Sequence, residues 1–397
     1  MRASYSGRLD HTVIALLSLI LILLSVTTFW ANTQARGDAP PPPGQLVDVG
    51  GWKLHLNCTG SNKDGSPTVV FEAGAGGISL DWYFVQASVT EFTRACSYDR
   101  AGTAWSELGP RPRTIRQDEY ELHKLLANAN IPGSYVLVGH SMGGLMVRNF
   151  QRQFPEEVSG MVLVDPASDD TRLVHFDKLM RLREDTTGKP IPPIRTTILP
   201  AEKQLSEVER PQTAQMVRVA PPVAPQDQRG VQPIQQGPPP HLGHALPPDI
   251  DRLRNWAMQQ PGRGIDGSPF TGQEFAELYE ARKAQQHVLG NMPLIVLIAR
   301  QREEASNLRP DWFVSNEEVN RQDEELASMS VIGRFIYAEN SGHNIPTDEP
   351  QIVVDAIRTL LEILGGKHHN QGRASKSTMQ PRYRYVVYPK NLVAFDF

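Results

Sequence analysis

Cysteine is almost absent: Cys58 and Cys96 are the only two in 397 residues. Two are too few for a disulfide-stapled scaffold or a cysteine-rich zinc site, so no metal is expected. An excess of one charge is missing as well. The 40 Lys and Arg against 44 Asp and Glu leave a net charge of −4, which gives no electrostatic footprint for nucleic acid. No internal repeat is visible, so a stacked-repeat architecture is excluded.

What is present begins with TVIALLSLILILLSVTTFW (12–30), an uncharged run behind Arg2 and Arg8. As a helix it spans roughly 28 Å, close to the hydrocarbon thickness of a bilayer. Two readings of residues 1–36 stay open. One is an uncleaved anchor with a cytoplasmic N-terminus, which the length favours; membrane is then a partner through 12–30. The other is a signal peptide cleaved near Thr33-Gln34-Ala35. Either places the rest outside the cytoplasm, membrane-anchored, secreted or periplasmic. GDAPPPPG (37–44) follows as a stiff proline-rich spacer.

Apolar runs bounded by turn residues come next. QLVDVGG (45–51) and WKLHLNC (52–58) read as a hairpin about Gly50-Gly51. TVVFEAG (68–74), TRACSYD (93–99), YVLVG (135–139), GMVLVDP (160–166), MPLIVLIA (292–299) and RFIYAE (334–339) read as strands. DEYELHKLLANA (118–129), Met142 to Phe154, and EPQIVVDAIRTLLEILGG (349–366) read as helices, the last with Gly365-Gly366 past its end. Strands without polar interruption, alternating with helices, imply a mostly parallel sheet covered on both faces. The core then has two halves, 45–175 and 291–366. Between them, 176–290 is an insertion with a Pro- and Gln-rich middle (210–249) and helical signals at NWAMQQ and EFAELYEARKAQQHVL (274–289). Long insertions of this kind in compact enzymes are usually lids. Residues 367–397 form a basic tail.

YVLVGHSMGG (135–144) is the most informative stretch. G-x-S-x-G between a strand and a helix bends sharply and presents Ser141 at the sheet edge; a Cβ at Gly139 or Gly143 would collide with neighbouring backbone. The N–H of Met142 at the helix N-terminus then faces the reacting oxygen, where the helix dipole favours negative charge. A base is available in SGHNIPTDEP (341–350): His343 follows the last strand. His140 is committed to the bend and is better placed to pack than to take the proton. FEAGAGGISLDW (71–82) offers a second oxyanion donor, the N–H of Ala75, with Gly76 the alternative.

EAGAGG, YDRAGTAWS (98–106), GHSMGG, VLVDP and SGHNIPTDEP, in this order, resemble the α/β-hydrolase superfamily, in the branch with bacterial esterases and proline iminopeptidases. The resemblance covers about 45–175 and 290–366. It implies an eight-stranded, mostly parallel sheet, a Ser-His-acid mechanism and no cofactor. It also sets Cys58 and Cys96 on neighbouring antiparallel strands, where a disulfide is open to them, two buried thiols being the other reading. The acid departs from the commonest pattern, because ARQREEASNLRPDW (299–312) holds no Asp before Asp311. Asp165, ending a buried strand, is preferred; Glu303, Glu304 and Asp311 remain alternatives. Asp99 to Gly102 read as a brace for loops beside the site.

The expected activity is cleavage of a carboxylic ester, or a related acyl bond, of a small-molecule acyl substrate through an acyl-enzyme on Ser141. An aminopeptidase or amidase of the proline iminopeptidase type is the nearest alternative. A non-catalytic binding or adhesion module is the other. A serine nucleophile argues against epoxide hydrolases and haloalkane dehalogenases, which use aspartate.

Overall fold

The computed structural model describes residues 40–62, 65–175, 178–198, 244–260, 268–301, 316–369 and 386–387. Met1–Pro42 and Pro43–Phe397 form two compact units. Segment 12–30 lies outside the described residues; among those described, no helix is long and apolar enough to cross a membrane.

Hydrophobic alternation builds the sheet. β1 (Gln45–Asp48) and β2 (Lys53–Thr59) form an antiparallel hairpin, its turn closed by Asp48 Oδ1, which accepts the N–H groups of Gly50 and Gly51 at 3.0 and 3.1 Å. β3 (Thr68–Glu72), β4 (Ala95–Tyr98), β5 (Tyr135–His140), β6 (Val158–Val164), β9 (Leu294–Ala299) and β10 (Arg334–Ala338) complete the order β1-β2-β4-β3-β5-β6-β9-β10, with β4 to β10 mutually parallel. β7 (Arg172–His175) and β8 (Lys178–Arg181) pair separately as a hairpin. Every residue of β3 and β9 is buried. On β9, Leu294, Val296 and Ile298 enter one core, while Ile295, Leu297 and Ala299 enter the other. A strand with successive side chains on opposite faces must be apolar throughout when both faces are covered.

Helices seal those faces. α2 (Ile115–Asn128) and α3 (Met142–Gln153) add Leu122, Leu125, Leu126, Val147 and Phe150 to the first core. α1 (Tyr83–Val89) and α8 (Pro350–His369) add Val85, Val89, Val353, Ile357 and Leu360 to the second. α1 and α6 (Asn316–Ala327) are not among the helices expected from the sequence. α8 runs on to His369, so Gly365 and Gly366 lie within it rather than past its end. No atom stands within 4 Å of a Cβ built on either glycine, and a glycine there costs only about 1 kcal/mol. From the basic tail, β11 (Val386–Val387) pairs antiparallel with β10 and adds a ninth, two-residue strand to the expected eight.

The β7–β8 hairpin lies about the start expected for the insertion. Asp170 fixes its start by pairing with Arg181 and Arg183. Two insertion helices are described, α4 (Pro248–Met258) and α5 (Thr271–Ala284). α5 stops at Ala284 instead of 289: Gln285 is extended, and Leu289 donates its N–H to Met329 at 2.9 Å. α5 docks through Phe275 and Leu278 against Leu145 and Met146, and through Glu274. The buried Glu274 carboxylate accepts the N–H groups of Ile115 and Arg116, both at 2.9 Å, and so caps α2 from another element.

Cys58 and Cys96 stand directly opposite on β2 and β4 and are joined by a disulfide. It closes a separation of 38 residues, which by chain entropy is worth about 3–4 kcal/mol. Reduction should lower the urea unfolding free energy by about that amount. Intact-mass analysis should then find both thiols alkylated only after reductant.

Burial outweighs the two donated hydrogen bonds and pushes the Glu274 pKa up to about 7. The folded value lies above the unfolded one. Its contribution is therefore fully present below the ordinary carboxyl range and is lost as pH rises through 7, a swing on the order of 3 kcal/mol. Unfolding free energies measured from pH 5 to 8 should fall with pH in the wild type and flatten in Glu274→Gln.

Candidate active site

Ser141 sits at the C-terminal end of β5 with φ 52° and ψ −121°, a left-handed conformation rare for a side-chain-bearing residue. Three backbone hydrogen bonds hold it there. Its N–H donates to Val164 at 3.0 Å, and its carbonyl accepts from Gly144 at 3.0 Å and Ala167 at 2.8 Å. The flanking glycines are steric necessities. A Cβ on Gly139 would stand 2.3 Å from the carbonyl oxygen of Gly143, and one on Gly143 would stand 2.4 Å from that of Glu72.

His343 comes from the loop between β10 and α7 (Ile345–Asp348). Its Nε2 accepts from the Ser141 hydroxyl at 3.0 Å, and its Nδ1–H donates to Asp165 Oδ2 at 2.7 Å. Asp165 is 3% exposed in its side chain, His343 55%. The other Asp165 oxygen accepts the N–H of Ala299 at 2.9 Å, so the carboxylate is anchored by β9 as well. Glu303, Glu304 and Asp311 lie outside the described residues. Ser141, His343 and Asp165 thus come together, the last two from positions 178 residues apart.

His140 packs against the site, its ring 4.8 Å from that of His343 and edge-on to Trp82. Its Nε2–H also donates to the His343 carbonyl at 2.8 Å, a tie not foreseen in the sequence. Burial first, and then its neighbour His343, hold the His140 pKa down at about 4, so at neutral pH the ring is uncharged and carries a single N–H.

The loop after β3 reaches the serine. Gly77 N–H donates to the Gly74 carbonyl at 3.0 Å across a turn with Gly76 at φ 62°, and Ala75 is exposed at its tip. A Cβ on Gly74 would stand 3.3 Å from Ser141 Cβ. Met142 opens α3 directly after the serine. Behind the loop, Asp99 accepts the Ser79 N–H at 2.7 Å and pairs with buried His55 at 2.7 Å. Arg100 joins the same region through Glu72. Among the described residues no cluster of three His, Cys, Asp or Glu side chains is placed to hold a metal ion.

The Alpha/beta hydrolase family model matches residues 69–356. The chain belongs to the α/β-hydrolase family. It is 28% identical to the uncharacterized protein YqjL of Bacillus subtilis, over 73% of this chain and 81% of that one. An AB hydrolase superfamily protein of Gibberella zeae is 22% identical over 75% and 87% of the two chains. The "Probable transporter efuK" of Hormonema carpetanum is 35% identical over 131 residues, and there this hydrolase spans 19% of the relative's length. Among solved structures, a thermophilic esterase from Thermogutta terrifontis superposes with a TM-score of 0.50 at 18% identity, over 81% of this chain and 99% of that one. Cfl2 from Burkholderia cenocepacia gives 0.50 at 18% identity, over 80% and 95%. At such identity the likeness is one of fold.

The close approach at the bend has a measurable consequence. Gly143→Ala should lower the urea unfolding free energy by about 3 kcal/mol, since the collision is with backbone that cannot rotate away. Gly365→Ala, in open space within α8, should raise it by about 0.5–1 kcal/mol.

Proposed function

We propose that this α/β-hydrolase is a serine hydrolase that cleaves a carboxylic ester of a small molecule through an acyl-enzyme. The observation that carries the reading is the continuous relay from Ser141 Oγ through the His343 ring to Asp165, at 3.0 and 2.7 Å. His343 Nε2 takes the hydroxyl proton as Oγ bonds to the acyl carbon. The oxyanion lies against the N–H groups of Met142 and Ala75. Nε2–H then protonates the leaving alcohol as its bond to carbon breaks. Water, deprotonated by His343, releases the carboxylic acid and frees Ser141. Asp165 holds the Nδ1–H tautomer and balances the imidazolium. The fold shared with a bacterial esterase agrees with this chemistry. The insertion acts as the lid, its α4 apolar residues Leu253, Trp256 and Ala257 lying against Ile78, Leu80 and Trp105 beside the oxyanion loop. The apolar run 12–30 and the Cys58–Cys96 bridge together support a catalytic unit outside the cytoplasm.

A fluorophosphonate probe should label the wild-type chain and leave Ser141→Ala unlabelled. Asp165→Asn should lower ester turnover by about 10³–10⁴-fold, whereas Glu303→Gln, Glu304→Gln and Asp311→Asn should leave it near wild type. An unlabelled wild type would mean a binding module. Full turnover in Asp165→Asn with loss in a glutamate variant would move the acid to 303 or 304.

A further inference from the structure

Arg100 is buried, and its guanidinium is spent on the backbone of one loop. Nη1 donates to the Ala73 carbonyl at 2.8 Å and to Glu72 Oε1 at 2.5 Å; Nη2 donates to the Gly74 carbonyl at 2.6 Å. Tyr98 donates its hydroxyl to the other Glu72 oxygen. Glu119 is buried nearby, and burial, then the charge of Glu72, hold its carboxyl well above the ordinary range. A buried arginine costs desolvation, and one ion pair with Glu72 does not require two further bonds to successive carbonyls.

The Gly74 carbonyl and the Ala75 N–H belong to one peptide unit. Cis bonds occur only at Arg111-Pro112 and Gly133-Ser134 among the described residues, so this unit is trans. In a planar trans peptide the C=O and N–H point in opposite directions. Fixing the carbonyl toward Arg100 and the Gly77 N–H turns the Ala75 N–H away from them, and the same stretch abuts Ser141. A cation on the carbonyl also polarises the amide and makes its N–H a stronger donor.

We propose that Arg100 is a positioning residue for the oxyanion loop: by holding the Ala73 and Gly74 carbonyls it orients the Ala75 N–H and strengthens it as a donor to the reacting oxygen. The inference rests on the reading of Ser141 as nucleophile and Ala75 as donor. No contact between Arg100 and substrate is implied.

The test is the rate of fluorophosphonate labelling of the full chain from pH 5 to 9, with KM and kcat on a p-nitrophenyl ester alongside. Arg100→Lys keeps a cation for Glu72 but cannot span both carbonyls. Its labelling plateau and kcat should fall about 10–100-fold, with KM little changed and the pH midpoint unmoved, because His343 and Asp165 are untouched. Arg113→Gln is the control for lost stability, since it unpairs buried Arg113 from Glu121 without removing Arg100 or its partners; it should keep the wild-type labelling rate. The proposal is overturned if folded Arg100→Lys labels as fast as wild type, if its pH midpoint moves with the plateau, or if Arg113→Gln loses as much rate at equal loss of stability. Should Arg100→Lys fail to fold, Arg100→Gln combined with Glu72→Gln removes both members of the buried pair and must show the same plateau loss. A wild-type chain that does not label at all overturns the serine reading instead, and the Arg100 proposal falls with it.

Discussion

The strained backbone of Ser141 is the constraint on which the rest of the site depends. A residue with a side chain at φ 52° costs on the order of 1–3 kcal/mol, and it persists only where its surroundings leave no alternative. Here both ends of the residue are bonded to β6 and the loop after it, and α3 begins immediately. Glycine at 139 and 143 lets β5, the loop after β3 and α3 approach to distances no other residue allows. Relaxing the bend would withdraw the hydroxyl from His343 and shift the N-terminus of α3 with it. Strain and close approach are thus one arrangement seen from two sides.

A parallel sheet explains how distant residues meet there. Parallel strands end at the same edge, so whatever follows β3, β5, β6 and β10 gathers at one rim. Asp165 ends β6, Ser141 ends β5, the Gly-rich loop ends β3, and His343 follows β10. Asp165 is rigid because neighbouring β9 receives it twice: its own N–H donates to Leu297, and its side chain accepts from Ala299. His343 is far more exposed and owes its place to side-chain ties at both ring nitrogens and to His140 at its carbonyl. A neutral His140 suits that tie, since it neither competes for the serine proton nor repels the imidazolium.

What was legible in the sequence follows the range of the forces involved. Strands buried on both faces announce themselves as unbroken apolar runs, so β3, β5, β6 and β9 were placed to within a few residues. The Gly-His-Ser-Met-Gly bend was legible because its steric demands are local. The contact of Asp165 with His343 was legible only as a preference among four carboxylates, because nothing in the residues near Asp165 states that His343 returns to it. α1 escaped notice since Tyr83 to Val89 is short and polar at Gln86 and Ser88. Arg100 was seen only as part of a brace. Its partners are carbonyls, which carry no sequence signal, and Glu72, whose burial is fixed by tertiary packing.

The insertion is tied to the core through charge as well as through apolar packing. Arg282 of α5 and Arg148 of α3 share buried Asp169, and Glu274 caps α2. Such pairs repay their desolvation only in one geometry, so they fix register more than they add stability. α4 is held differently. Its Trp256 ring lies 5.2 Å from Trp105, and Arg254 pairs at 3.0 Å with Asp81, whose other oxygen accepts the Ile78 N–H. Ile78 directly follows Gly77 of the oxyanion loop. The more exposed helix of the insertion is therefore fastened to the very segment that Arg100 holds from beneath. Asp81 links α4 to the Ile78 N–H, while Arg100 fixes the Gly74 peptide. The two ends of one loop are thus restrained by different means, a partly exposed ion pair at one and a buried guanidinium at the other.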